Sequence, residues 1–122
     1  MPMLGDRVYD EGLNSLNAEG ETLHIVSSEP SNYAGVSGVS LGTKASPTIS
    51  VEADRGGGGR EVTVSAITDG SVSADGTAAG YAIVDDSNSR LLAAGDLSSS
   101  QAVTNGNTFT LTQFTIGIPD PA

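Results

Sequence analysis

His24 is the one histidine in the chain, set between Leu23 and Ile25. General acid–base work would need a partner within hydrogen-bond reach. With 16 Ser, 11 Thr and fifteen acidic residues, a Ser-His-Asp arrangement stays open on composition. A lone histidine with apolar neighbours on a strand is more simply a packing residue. The paired carboxylates Glu19/Glu21 and Asp85/Asp86 read as solvated turn residues. Glycosidase chemistry would need an apolar wall to raise the pKa of one of them, and aromatics make up only 4% of the chain. Asp85, Asp86 and Asn88 offer oxygen ligands of the kind calcium takes, but an Asx-rich hairpin turn accounts for the same residues. The run Gly38-Val-Ser-Leu-Gly42-Thr-Lys44 has glycines and a lysine out of order for a phosphate loop. These patterns lead to the expectation of a protein that is not an enzyme and has no cofactor and no metal.

Two arginines flank four glycines in Arg55-Gly-Gly-Gly-Gly-Arg60. Four residues without side chains make a flexible hairpin tip, because nothing opposes their backbone freedom. The alternative is a loop ordered by an anionic partner held between Arg55 and Arg60. Against 5 basic residues, the acidic ones leave a net charge of −10, which argues against phosphate backbones and anionic membranes as partners. Neither nucleic acid nor membrane is therefore expected. Cysteine is absent, which removes disulfides, thiolate metal sites and thiol nucleophiles. The first residues lack a basic start followed by an apolar run, so no secretory leader is expected.

The elements that would carry these residues follow from periodicity. At 122 residues, rich in Thr and with 16 Gly, the chain suits one domain of short strands and many turns. Residues 6–18 predict an amphipathic helix capped by Asp6, with Val8, Tyr9, Leu13 and Leu16 on one face and Gly20 as the stop. We read residues 1–20 as an N-terminal arm bearing this helix, and 21–122 as a single domain. Strands are predicted at 23–26, 48–53, 61–67, 71–74, 77–84, 90–94 and 108–118. Residues 31–46 stay open between a long loop and a loop with one edge strand. In the last strand Phe109 and Leu111 share one face while Phe114, Ile116 and Ile118 share the other; a bulge near Thr112-Gln113 would reconcile them. The expected fold is mainly β, an antiparallel β-sandwich of jelly-roll or Ig-like kind with a short N-terminal helix. Its expected core is Ile25, Val62, Val64, Tyr81, Ile83, Leu91, Leu97, Phe109 and Leu111.

Three segments then stand in one order: residues 69–85 with Ala-Ile-Val-Asp at their end, 89–97 with Leu-Leu-Ala-Ala-Gly-Asp-Leu, and 101–111 with Val-Thr-Asn-Gly-Asn-Thr-Phe. Together with Leu23-His-Ile-Val-Ser-Ser-Glu-Pro30 after a helix, this resembles small tailed-bacteriophage virion proteins, described as head decoration (cement) or tail-fibre-like proteins. The resemblance implies a β-sandwich located on a virion. With the net charge of −10, awkward beside packaged DNA and untroubled outside the head, it leads us to expect a decoration protein on the outer capsid, bound to the major capsid protein and oligomeric, with a trimer favoured. A tail-fibre, baseplate or adaptor component is the first alternative. A carbohydrate-binding module is the second, and it is disfavoured by the scarcity of aromatic faces. Residues expected to meet a partner are Arg7, Val8, Tyr9, Leu13 and Leu16 of the helix, with Arg55 and Arg60. The opposing view of that helix is that it covers its own domain.

Overall fold

The computed structural model describes residues 6–54 and 59–118, of which 6–10 and 98 are described by backbone alone. The fold is mainly β, with antiparallel sheets and two helices. Helix α1 (Asp6–Glu19) leads to β1 (Thr22–Val26), helix α2 (Tyr33–Val39), β2 (Ser40–Ala45), β3 (Ala53–Asp54), β4 (Arg60–Val64) and β5 (Ile67–Val72). Strand β6 (Gly76–Asp85), a 3-10 turn (Asp86–Asn88), β7 (Arg90–Val103), β8 (Thr108–Leu111) and β9 (Phe114–Ile118) follow. The larger sheet has six strands in the order β7-β6-β1-β2-β5-β8; the smaller has the order β3-β4-β9.

Both sheets feed one core. Leu23, Ile25, Ile83 and Phe109 of the large sheet meet Val62 and Val64 of the small one, with Leu13 and Leu16 of α1. The alternation of β1 sets this arrangement, because Leu23 and Ile25 point inward while Val26 turns to the opposite face. That opposite face is covered by α2, whose Val36 joins Val26, Ala82 and Val84 in a second cluster. Helix α2 starts where Asn32 Oδ1 accepts the amide of Gly35 at 2.8 Å, one of the free donors at a helix N-terminus. Residues 31–46, open on periodicity, are therefore a helix followed by a central strand. Their glycines hide the helical period, and burial of Val36 supplies what propensity does not.

Four further expectations are corrected. Residues 48–53 are not a strand: Ile49 makes a lone bridge to Val64, and β3 is only Ala53–Asp54. The predicted strand 61–67 is two, since the chain leaves the small sheet after Val64 and enters the large one at Ile67. The strand predicted at 90–94 runs on to Val103 through the polar stretch 96–100. The phase change at Thr112-Gln113 is not a bulge within one strand. Strands β8 and β9 belong to different sheets, so the chain switches layers there and the buried face reverses. Of the expected core, Tyr81, Leu91 and Leu97 are only partly buried; Tyr81 and Leu97 edge the main core, and Leu91 packs on the second cluster under α2.

The two outermost strands of the large sheet, β7 and β8, are neighbours in sequence, joined through residues 104–107. Such a short turn can join opposite edges only if the sheet curls. In that turn the Asn107 amide donates to Thr104 O at 3.0 Å, and Gly106 takes φ 89°, a conformation suited to glycine. Phe109 lies flat on β5 because Gly70 offers no side chain; a Cβ there would meet the ring itself. Among the described residues no helix is long and apolar enough to cross a membrane.

Candidate functional site

The curl leaves a cleft of about 820 Å³ where β7 faces the β8–β9 corner. Its shape comes from a break in strand pairing. Gly80 pairs with Asp96 and Ala78 with Gln101, so Ala79 alone faces residues 97–100 of β7. This extended bulge bends β7 away from its partner, as bulges do beside functional sites. Behind the bulge, Tyr81 and Phe114 form a tilted aromatic pair, with centroids 4.6 Å apart and planes at 42°. Both rings line the cleft, as do Ile67, Leu97 and Leu111. Leu97 and Tyr81 are only partly buried because they form cleft wall as well as core edge. One end is closed by Gln101, whose Nε2 donates to the Thr110 carbonyl at 3.1 Å. Asp96, Ser99, Gln113 and several threonines supply the polar part of the wall. Burial, and secondarily the charge of Glu29, pushes the Tyr81 phenol above its ordinary pKa, so it stays a proton donor at neutral pH.

A second polar region lies on the other face of the large sheet, beneath α2. His24 Nδ1 and the Ser40 hydroxyl are 2.8 Å apart across β1 and β2. Asp86 accepts the Thr22 hydroxyl at 2.6 Å on Oδ2 and the Tyr33 hydroxyl at 2.9 Å on Oδ1. A hollow of about 140 Å³ is lined by His24, Tyr33 and Asp86. Burial holds His24 below its ordinary pKa, and the negative charge of Asp86 opposes the shift in part. Next door Asp85 is buried, at 1% exposure. It accepts the Asn88 side-chain amide at 2.8 Å and the Asn88 backbone amide at 3.3 Å, and these bonds draw its carboxyl below the usual range. Asp85, read from sequence as a solvated turn residue, is instead an internal cap of the β6–β7 turn.

Ser40 also carries a sequence signal. It is the serine of Gly38-Val-Ser-Leu-Gly42, the Gly-x-Ser-x-Gly spacing of a nucleophile elbow. An elbow needs a strand before the serine, a helix after it and a strained turn between. Here helix α2 ends at Val39 and strand β2 begins at Ser40, the reverse order. Ser40 has φ −69° and ψ 130°, an ordinary extended geometry with nothing strained about it. Both oxygens of Asp86 are already held by hydroxyls. The cluster joins α2, β1 and the β6–β7 turn, and its geometry is that of a cross-strand polar lattice.

The residues expected to meet a partner are not brought together. Leu13 and Leu16 are 2% and 5% exposed, buried in the domain's own core. For Leu13 and Leu16 the place is therefore the domain's own core rather than a free stripe: small domains draw on every apolar side chain, and α1 packs on β4 and β6. Arg7, Val8 and Tyr9 lie in the α1 backbone, and their side chains are outside the described residues. Arg55 is also outside them. Arg60 pairs with Asp54 at 2.6 Å, its register partner on β3. The cleft leaves two signals in the sequence, the polar stretch 96–100 inside a strand and the phase reversal at Thr112-Gln113, but neither marks a cleft without the curl of the sheet. Comparison of the chain with protein-family models, with curated proteins and with solved structures gives no match.

Proposed function

We propose that this chain is a structural virion protein, a decoration protein that binds the outside of a tailed-phage head through the major capsid protein and stabilises it. It acts in this proposal without catalysis and as a homo-oligomer, with a trimer favoured. The observation that carries the proposal is the run from Asp69 to Leu111. Its three segments resembling phage head and tail proteins fall on β5, β6, β7 and β8, four successive strands of the one curled sheet. The finer fold assignment, a β-sandwich of jelly-roll or Ig-like kind, belongs to the same proposal and draws on the core shared by the two sheets.

Charge supports the outer surface, because a net charge of −10 is repelled by packaged DNA and unaffected by it outside the shell. With Leu13 and Leu16 committed to the core, the attachment face moves from α1 to the edge of the small sheet. Val51 there is 72% exposed, beside the two-residue strand β3. A large aliphatic side chain next to a short strand edge gives a capsid subunit both apolar area and backbone groups to pair. Phage heads assembled without this protein provide the test. The purified chain should co-sediment with them to saturation, and Val51→Asp should weaken the binding. Binding to isolated tails, with none to heads, would replace this assignment with the tail-component one.

A further inference from the structure

We propose that the cleft at the β7 bulge binds a neutral carbohydrate, one pyranose unit of a glycan lying against Tyr81 and Phe114. The inference goes beyond virion attachment and holds wherever the domain is mounted. At about 820 Å³ the cleft falls within the span of small-molecule sites, roughly 300–1,000 Å³. Its walls combine what a sugar needs. The C–H face of a pyranose is weakly positive and suits the negative faces of aromatic rings. The fold here pools two of the chain's five Tyr and Phe residues, far apart in sequence, into one pair. Scarcity of aromatics is an argument against sugar recognition only if the few present are scattered.

The polar groups point to the same ligand class. Hydroxyls and amides of Ser99, Thr112, Gln113 and Thr115 both donate and accept, as sugar hydroxyls do. Asp96, exposed at the bulge, adds a carboxylate able to accept from two adjacent hydroxyls. None of the described lining residues is a lysine or arginine, and the net charge of −10 disfavours an anionic ligand. An extended peptide is the rival occupant. Strand addition needs a straight run of edge hydrogen-bonding groups. One rim here is a four-residue bulge, and the other breaks at Thr112-Gln113 where the chain changes sheets.

The test is an NMR titration of the 15N-labelled full chain with four neutral trisaccharides: maltotriose, cellotriose, mannotriose and N-acetylchitotriose. At least one should move amide signals within 96–101 and 110–115, with a Kd at or below about 1 mM. Asp96→Ala, at an exposed position, should keep the wild-type melting temperature and weaken that sugar about tenfold. Phe114→Ala should abolish that binding, and Gln113→Ala, at an exposed position, should weaken it several-fold and serves as the second variant should Phe114→Ala fail to fold. Capsid binding by Asp96→Ala should be unchanged, which separates this inference from the virion assignment. The proposal is overturned if no trisaccharide moves those signals up to about 20 mM. It is equally overturned if the shifts lie elsewhere, if Asp96→Ala leaves affinity unchanged, or if only a Thr/Val hexapeptide binds the cleft.

Discussion

The His24 cluster and the β7 cleft occupy opposite faces of the same sheet, and under the proposals made above they invert the usual relation between residue type and function. The cluster has the residues of a hydrolase: a serine in a Gly-x-Ser-x-Gly spacing, a histidine 2.8 Å away and a nearby aspartate. Those groups are largely occupied with one another or with Thr22 and Tyr33. The cleft has no histidine among its described lining residues, yet its aromatic pair and polar rim face open space. Residue types alone would rank the cluster first, and the proposals made above rank the cleft first. What separates them is whether polar groups are satisfied within the fold or left for a ligand.

The largest expected effects come from the core that holds both regions in place. Phe109→Ala should cost about 3–5 kcal/mol, read as a fall in denaturant midpoint, because the ring fills the space over Gly70. Leu16→Ala should cost about 2–5 kcal/mol by the same measurement. Deleting residues 1–16 should then abolish cooperative melting. A truncated protein that melted normally would show that α1 is an appendage and restore it as a docking element.

Gly70→Ala ranks next, at about 1–3 kcal/mol, since the new methyl must displace the Phe109 ring. A smaller effect belongs to the polar lattice. The folded-state pKa of His24 lies below its unfolded value of about 6.5, so in that interval the unfolded chain binds more protons. Stability should therefore be fully present above about pH 6.5 and fall as pH drops through the folded pKa. Thermal melts of His24→Gln should lose that part of the pH dependence, while the acid loss tied to Asp85 persists at lower pH. The smallest expected effect is at Ser40: no labelling by a fluorophosphonate probe and no ester hydrolysis above the Ser40→Ala background. Labelling of Ser40 would collapse the contrast between the two regions.

Much of the scaffold was legible from period and turn chemistry. Alternation in β1, β4 and β6 and the Asn105-Gly106 turn required no tertiary information. What stayed hidden depends on the third dimension. Helix α2 has two glycines in seven residues and is held by its Asn32 cap and by Val36 packing on Val26, Ala82 and Val84. Residues 96–100 are polar and carry no strand signal, because a strand that bulges along a cleft shows no alternation. Thr112-Gln113 was located correctly as a break and misread as a bulge, because one strand reversing phase and two strands in separate sheets leave the same pattern. The cleft was out of reach for a further reason: Tyr81 and Phe114 become a site only when the sheet curls.

The virion assignment is tested most directly by an image reconstruction of the phage particle beside one that lacks this protein. Difference density is expected over the outer surface of the head at symmetry-related positions, with each unit accommodating the two-sheet domain and the edge around Val51 turned toward the shell. Density confined to the tail or baseplate, with an unchanged head, would contradict it.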